Sequence, residues 1–431
     1  MELKVSKNGH RLEMADGTPF LWLGDTEWVL NNHSDEQIIE ILDDRKAKGF
    51  SVIQVCAVRE WERIVYTDAS GVESNLTDLS WARTDFNGNT PFINDDVKFL
   101  NPAYWERWRW ICQQVNQRGM CFVIMAGSPG RMEGRWKCSG PEECYIYGKN
   151  VGTIFRSCTN IILSPSMDFP GDRGVGTEGW RALAKGFKDG MGADGQEKSI
   201  PVPMTYHTWQ TSSVWFHRDA WLTFNGVQGS RNEETDNDRM IYQRTLQDYL
   251  AKEPVKPVVC LEGSYEEERN NGGKLPPTTT RNVRMQLFYA FFAGASGYTY
   301  GHVDNWIQHE STEYLNSPGG NWIPVARDFL LARKWWRFVP FPTLIVGGEE
   351  SGDKRKVAVV ADDGSECCVF FPEQDAVELN LEGVFKESTM EICWFDPRNG
   401  YTTAGERIAL KGNRHFSPPQ GWEDAVLIIK S

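Results

Sequence analysis

The strongest constraint on the fold is an alternation, up to about residue 335, of short apolar runs with longer segments of helical period. This alternation predicts repeated βα units around a parallel sheet, because parallel strands need a long crossover between them. Eight strands, each followed by a helix or a long connection, predict a (β/α)₈ TIM barrel with its chemistry at the C-terminal strand ends. The eight runs are 20–24, 51–57, 120–126, 160–164, 202–207, 222–225, 257–262 and 297–301.

From about residue 342 the pattern changes to runs of period two, separated by turn signals such as Asp363-Gly364 and Asn399-Gly400. Alternation of this kind predicts a small antiparallel β-sandwich. We therefore expect an α/β chain with two domains, a catalytic barrel over residues 1–340 and a β-sandwich over residues 341–431.

Composition and charge narrow the range of partners. The net charge of -13 disfavours nucleic acid and anionic membranes. The polar start of the chain is unlike a signal peptide, so we expect a protein that is either cytoplasmic or secreted with its signal removed. The oligomeric state stays open.

Cofactor motifs are absent or out of context. Gly190, Gly192 and Gly195 match GxGxxG, but they follow a helical segment and precede a strand, the reverse of a dinucleotide-binding loop. The ten cysteines include no CxxC and offer no zinc spacing, although Cys138, Cys144 and Cys158 lie in a polar region as disulfide candidates. We expect no metal and no organic cofactor to take part in the chemistry.

Aromatic residues point toward carbohydrate. The chain has 18 Trp, 13 Tyr and 22 Phe, and many Trp stand beside predicted strand ends. Each ring alone is explained by core packing, but rings mixed with carboxylates and amides at a barrel mouth suit a sugar, whose apolar faces stack while its hydroxyls form hydrogen bonds. A glycoside hydrolase needs two carboxylates beside the glycosidic bond. Three stand at strand ends, namely Asp25, Asp168 and Glu262.

Several segments, in order along nearly the whole chain, carry a family resemblance. They are GTPFLWLGDTEW, RKAKGFSVIQV, YGKNVGTIFRSCTNIILSPSMD, SSVWFHRDAWLTFNGVQ, KPVVCLEGSYE, GASGYTYG and WFDPRNG. The chain resembles the apiosidase-like (β/α)₈ family associated with glycoside hydrolase family 140. That family joins a barrel to a β-sandwich named for collagen binding, a name that does not establish such binding here.

The resemblance implies that Asp168 and Glu262 are the catalytic carboxylates. It also implies that substrate-side motifs contain His207, Trp215, His217, Asn225 and Gln228. Position near strand ends adds Asp25, Trp61, Trp209, Tyr300 and His302 to the expected substrate-binding residues. The family's IIWVLGGD is IILSPSMD here and its QSGH is QGSR, so apiose specificity does not carry over.

The sequence thus predicts a glycoside hydrolase acting on an oligosaccharide or polysaccharide by a two-carboxylate, retaining mechanism. One alternative is a non-catalytic carbohydrate-binding or surface interaction protein on a barrel scaffold. Another is a lyase acting on uronates, for which Arg59, Arg63, Arg131 and Arg135 would bind the acidic sugar. The long connection 59–102 is expected to form part of the substrate cleft, with Trp61 as a stacking ring.

Overall fold

The computed structural model describes most of the chain, and Trp61, Arg63, Arg131 and Arg135 lie outside the described residues. No helix in the described ranges is both long and apolar enough to cross a membrane. These ranges are 2–59, 64–67, 70–71, 73–76, 79–127, 136–192, 201–229, 237–269, 274–307, 310–347, 351–385, 389–409 and 412–430.

The first part of the chain contains a ring of parallel strands, as predicted, together with two separate antiparallel hairpins. Its strands are β1 (Leu3–Val5), β2 (Leu12–Met14), β3 (Trp22–Thr26), β4 (Val52–Cys56), β5 (Ile64–Thr67), β6 (Glu73–Leu76), β7 (Cys121–Met125), β8 (Ile161–Ser164), β9 (Asn225–Gln228), β10 (Val258–Glu262) and β11 (Gly297–Tyr300). Seven of them pair in the order β8-β7-β4-β3-β11-β10-β9. The remaining gap is closed by the segment 202–207, where Met204 bridges Leu163 in parallel and accepts a hydrogen bond from the Thr223 amide.

Two predicted strands differ in detail. The run 202–207 forms one isolated bridge rather than a full strand, and the run predicted at 222–225 becomes a strand only from Asn225 onward. Threonine hydroxyls explain the difference, since they replace main-chain ladder bonds here. The Thr223 hydroxyl accepts from the Met204 amide at 3.0 Å, and the Thr205 hydroxyl donates to the Phe224 carbonyl at 3.1 Å.

Helices surround the ring. Ser34 caps the first of them in a capping box with Gln37, as its position in the sequence indicates. The helices are α1 (Asp35–Ala47), α2 (Pro102–Gln117), α3 (Pro141–Phe155), α4 (Gly176–Met191), α5 (Ser213–Phe216), α6 (Arg244–Leu250), α7 (Thr280–Phe292), α8 (Asp304–Ile307) and α9 (Pro318–Ala332). The three cysteines singled out as disulfide candidates are buried, and no disulfide joins them.

Alternate side chains along each barrel strand face the axis or the helices. The axis is filled by an apolar cluster that includes Trp22, Val52, Val123 and Leu261. Leu3 and Leu12 of the N-terminal hairpin β1–β2 belong to the same cluster. The barrel interior is therefore a packed core, and chemistry is confined to its mouth.

The second part of the chain is a two-sheet antiparallel sandwich, as predicted. Its strands are β12 (Phe338–Pro340), β13 (Val357–Ala361), β14 (Glu366–Phe371), β15 (Val377–Asn380), β16 (Thr389–Phe395), β17 (Glu406–Ala409), β18 (Asn413–Phe416) and β19 (Ala425–Lys430). Six form a sheet in the order β12-β13-β14-β19-β16-β17, and β15 pairs with β18. The run after residue 341, expected as a strand, begins instead with a 3₁₀ turn, Pro342–Leu344, because Pro342 cannot donate to a ladder.

The large sheet of the sandwich is buried on both faces. Val369 of β14 and Leu427 of β19 face the small sheet, whereas Phe370 and Ile428 pack with α7 and α9 of the barrel. Phe370 stacks on Phe288 of α7 with ring centroids 4.7 Å apart. The two domains thus share an apolar interface.

We expect Phe370→Ala to lower the free energy of unfolding by about 3–5 kcal/mol, because it leaves a cavity at this interface. Chemical denaturation measures the loss. Phe99→Ala is the matched control, since Phe99 is 58% exposed and its removal should cost little. A loss below about 1 kcal/mol for Phe370→Ala would show that the interface contributes little stability.

Candidate active site

Three polar side chains meet at the C-terminal mouth of the barrel. Glu262 is the last residue of β10, Asp168 lies four residues beyond β8, and His207 ends the segment that closes the ring. His207 Nε2 is 3.0 Å from Glu262 Oε2, and His207 Nδ1 is 3.5 Å from Asp168 Oδ1. One nitrogen or oxygen atom from each residue lies within 4.8 Å of the other two. The structure thus brings together three residues singled out from the sequence.

A β-bulge aims Glu262 into the mouth. Leu261 already belongs to the cluster on the barrel axis, so regular alternation would turn Glu262 toward the helices. The pairing of β10 with β9 shifts register between Cys260 and Glu262, and Glu262 stands opposite Gln228. Bulges commonly redirect a side chain beside an active site. Here two consecutive side chains, Leu261 and Glu262, face inward.

His207 links Asp168 to Glu262. The Asp168 amide donates a hydrogen bond to His207 Nδ1 at 3.2 Å, which assigns the neutral imidazole its proton on Nε2, the nitrogen that faces Glu262. Asp168 has a φ of 53°, in the left-handed region. A non-glycine residue there carries roughly 1–3 kcal/mol of backbone strain. The strained backbone is the one whose amide holds the imidazole, so the surrounding fold must stabilise this arrangement.

Gln228 orients the Asp168 carboxylate. It ends β9 level with Glu262, and its Nε2 donates to Asp168 Oδ1 at 2.8 Å. The amide oxygen of Gln228 is buried and makes no hydrogen bond within the part of the chain that the structure describes. A buried acceptor without a donor costs about 1–3 kcal/mol, so this oxygen is suited to receive a hydroxyl of a ligand.

An apolar collar surrounds the polar centre. Trp28, Cys56, Met125, Met167 and Tyr265 form one buried cluster at the strand ends, and Trp306 packs against it. The Trp28 ring meets His207 edge to face, with centroids 5.8 Å apart. The Trp28 indole N–H is donated to the Tyr265 hydroxyl. The two tryptophans are among those that stand beside predicted strand ends; the other four residues also stand at or just beyond strand ends, a signal that could have identified them.

Asp25 does not line the site. It is fully buried and ion-paired with Arg45 of α1, and it accepts a second hydrogen bond from Asn305 at 3.1 Å. Glu27 lies 3.7 Å from the same guanidinium and accepts from the Tyr314 hydroxyl at 2.7 Å. The strand-end carboxylate expected to bind substrate is therefore part of a buried network between β3 and α1.

Tyr300 and His302 also make structural contacts. The Tyr300 hydroxyl donates to Glu266 at 2.6 Å and lies 2.8 Å from the Ser317 hydroxyl, beside the start of α9. His302 is buried next to Glu267, with its Nε2 3.4 Å from that carboxylate. Burial lowers the pKa of His302 to about 4, so the ring is neutral near pH 7. Among the residues that the structure describes, neither side chain contacts Asp168, His207 or Glu262.

Asn225 and His217 lie away from the mouth. Asn225 begins β9 and pairs with Val258, at the opposite end of β10 from Glu262. Its amide nitrogen is 3.1 Å from His217 Nδ1. The sequence placed Asn225 at a strand end because the apolar run stops there, but the strand continues to Gln228. Trp215 is half-buried against the core cluster around α3 and α4.

Trp209 lies on the surface close to His207 in the chain. It follows His207 by two residues and is 44% exposed, unlike most tryptophans of the described chain. Trp61 lies outside the described residues. In the connection 59–102, Arg59 is buried and donates to the Trp28 carbonyl at 2.6 Å and to Asn31 Oδ1 at 2.8 Å, so it braces the mouth.

Solved structures with the same architecture include glycoside hydrolases. One described as "Glycoside hydrolase" is 24% identical, with a TM-score of 0.77 over 100% of this chain and 97% of that chain. A glycoside hydrolase family 5 protein from Bacteroides vulgatus is 23% identical, with a TM-score of 0.78 over 100% of this chain and 94% of that one. At these identities the likeness establishes the fold. A search of curated proteins gives no match.

Two family models match the chain. Residues 6–337 match the model described as "Apiosidase-like, catalytic domain". Residues 339–430 match the model described as "Putative collagen-binding domain of a collagenase". The boundary between the two matches falls where β12 begins.

The buried network around Arg45 generates a pH-dependent prediction. Burial, followed by the neighbouring Asp25 carboxylate, raises the pKa of Glu27 well above its ordinary value of 4.5. Above about pH 4.5 the unfolded chain releases this proton while the folded chain retains it. Stability then falls as pH rises, by up to about 1.4 kcal/mol per pH unit, until pH reaches the folded-state pKa.

Glu27→Gln removes this proton linkage and keeps an acceptor for Tyr314. We expect the variant to gain stability over the parent protein as pH rises from about 4.5 to about 7. Chemical denaturation across this range measures the difference, with exposed Glu36→Gln as the control. A difference that does not change with pH would contradict the raised pKa of Glu27.

Proposed function

The chain belongs to the apiosidase-like family of catalytic domains and is a glycoside hydrolase, and we propose that it cleaves its glycosidic bond with Glu262 as nucleophile and Asp168 as general acid and base. The observation that carries this assignment is the convergence of the two carboxylates around His207, with oxygen atoms within 4.8 Å of each other. Carboxyl groups about 5–5.5 Å apart are typical of retaining enzymes, and separations of about 6.5–9.5 Å are typical of inverting ones. The proposal is therefore a retaining mechanism.

The reaction proceeds in two displacements. Glu262 attacks the anomeric carbon while Asp168 protonates the departing glycosidic oxygen, which gives a covalent glycosyl ester on Glu262. Asp168, now ionised, then removes a proton from a water molecule that attacks the same carbon. The ester breaks, Glu262 is released as a carboxylate, and Asp168 regains its proton.

Exposure supports this division of roles. The Glu262 side chain is fully buried, whereas that of Asp168 is 15% exposed. The acid and base must reach a leaving group and a water molecule that enter from solvent, and the nucleophile needs only the anomeric carbon. Asp168 accepts the Gln228 amide on Oδ1, which fixes the orientation of the carboxyl group toward the mouth.

His207 acts as a positioning residue. It accepts a hydrogen bond from the Asp168 amide at Nδ1, and its Nε2 lies 3.0 Å from Glu262 Oε2, so the ring lies between the two carboxylates and limits their positions. The apolar collar excludes water and lowers the local dielectric constant, which strengthens these interactions. The substrate is a saccharide, with Trp209 as a stacking ring and the Gln228 amide oxygen as an acceptor for one of its hydroxyls.

One of the arginines on which the uronate lyase alternative depends is already bound within the protein. Arg59, one of the arginines considered for an acidic sugar, is 1% exposed, and its guanidinium already donates to Trp28 and Asn31. It is therefore not available for a substrate carboxylate. Release of reducing sugar from a panel of plant, algal and fungal polysaccharides and oligosaccharides tests the hydrolase directly, and a fully inactive panel would favour the binding-protein alternative.

Asp168→Asn and Glu262→Gln should each lower kcat by about 10²–10⁴-fold while leaving the fold intact. Both changes preserve side-chain shape, and asparagine tolerates the left-handed backbone of residue 168. Thermal denaturation checks the fold, and NMR of the first-formed product of the parent enzyme should show a retained anomeric configuration.

Azide rescue distinguishes the two roles. With an activated glycoside, Glu262→Ala should give a glycosyl azide of inverted configuration, because azide replaces the nucleophile. Asp168→Ala should give one of retained configuration, because azide replaces the water. The opposite assignment of products would reverse the roles.

Trp209→Ala should lower kcat/KM by about tenfold with a change in Tm of less than about 2 °C, because an exposed ring contributes to sugar stacking more than to the core. Tyr401→Ala is a matched control, since Tyr401 is an aromatic residue 58% exposed on the sandwich. Unchanged kinetics in Trp209→Ala would remove this ring from the substrate site.

A further inference from the structure

The catalytic centre also has the composition of a metal site. Imidazole nitrogen and carboxylate oxygen are ligands that Zn²⁺ and related divalent ions use in proteins. Asp168, His207 and Glu262 are the one group of three such residues that converges in this way in the described part of the chain. We propose that this centre binds a divalent transition-metal ion, with Zn²⁺ as the reference ion, and that the metal-bound protein is unable to hydrolyse glycosides.

The spacing is close to what a metal ion requires. Tetrahedral zinc with bonds of about 2.0–2.1 Å places neighbouring ligand atoms about 3.4 Å apart. His207 Nε2 and Glu262 Oε2 are 3.0 Å apart, and the Asp168 ligand atom lies within 4.8 Å of both partners. Asp168 is on a loop and partly exposed, so it is the residue that would move inward to complete the set.

A second observation supports a cation. The Gln228 amide oxygen is buried without a hydrogen-bond partner among the described residues, and its own amide nitrogen is bound to Asp168. Lone pairs of two carboxylates and an imidazole thus converge, and the amide that carries this buried oxygen binds one of the two carboxylates. A bound cation stabilises such a concentration, and two carboxylates neutralise a divalent ion inside the apolar collar.

Metal binding requires one proton to move. Nε2 becomes the ligand when the imidazole proton passes from Nε2 to Nδ1, which then gives up the hydrogen bond from the Asp168 amide and turns toward Asp168 Oδ1, 3.5 Å away, as its new acceptor. The ring stays neutral throughout.

Inhibition follows from competition for the same lone pairs. A Glu262 oxygen bound to the metal is withdrawn from the anomeric carbon, and a metal-bound Asp168 cannot carry the proton for the leaving group. This second half of the proposal rests on the proposed hydrolase function, whereas binding itself does not.

Isothermal titration of the full chain, first freed of metal with a chelator and then dialysed, measures binding of Zn²⁺. We expect one ion per chain. His207→Gln, Asp168→Asn and Glu262→Gln should each weaken binding at least about tenfold, because loss of even an outer partner of a metal ligand costs about 10–100-fold. His302→Gln is the control and should bind zinc as the parent does. His302 also lies near two carboxylates, of Glu267 and Asp304, but among the described residues these three do not bring ligand atoms together as the catalytic centre does.

Two further measurements keep the result interpretable. Thermal denaturation confirms that each variant is folded, and Co²⁺ absorption without a thiolate charge-transfer band excludes binding by the buried cysteines. Equal zinc affinity in all four variants, binding through thiolates, or no binding would overturn the proposal. Zinc binding that depends on the three ligands in a protein inactive on every glycoside would support the metal site and would count instead against the proposed function.

Discussion

The direction in which each barrel strand points its side chains, toward the axis or toward the helices, is the constraint on which the site depends. Side chains at the strand ends alternate between the axis and the helices, and only those that face the axis can meet in the mouth. Gln228 faces the axis by regular alternation along β9, and Glu262 faces it because of the bulge in β10. Asp25 and Tyr300 stand at the same height on neighbouring strands but face outward. Without the bulge, Glu262 would join them against the helices.

The outward-facing polar residues give the mouth its rigidity. Asp25 fixes β3 to α1 through Arg45, and Glu266 receives both Tyr300 and the Gly319 amide at the start of α9. Such buried contacts are costly to break, because each would leave an unpaired charge or polar group. They hold the strand ends that carry the centre, so residues that never touch substrate define where it binds.

The positions of the strands along the chain could be predicted from the sequence, but the face to which each side chain points could not. The apolar runs indicated the barrel and the strand ends, and they singled out Asp168 and Glu262, whereas His207 and Gln228 were expected from the family resemblance. Parallel strands are buried on both faces, however, so their residues show no alternation of polarity to mark the inward side. Asp25 and Tyr300 were included among the site residues for this reason, each at or near a predicted strand end and each facing outward. The β10 bulge depends on one shift in pairing with β9, which no pattern in PVVCLE marks.

The doubly buried sheet of the sandwich has a consequence for how such chains diversify. Successive residues of β14 and β19 pack in two different apolar cores. One core lies inside the sandwich, and the other is shared with α7 and α9. A recombination event that exchanged the sandwich between barrels would have to preserve a matching helical surface, and Phe288 and Phe370 would need to be inherited together. The sandwich is therefore a poor candidate for a freely exchangeable module, and barrel and sandwich are expected to change in concert.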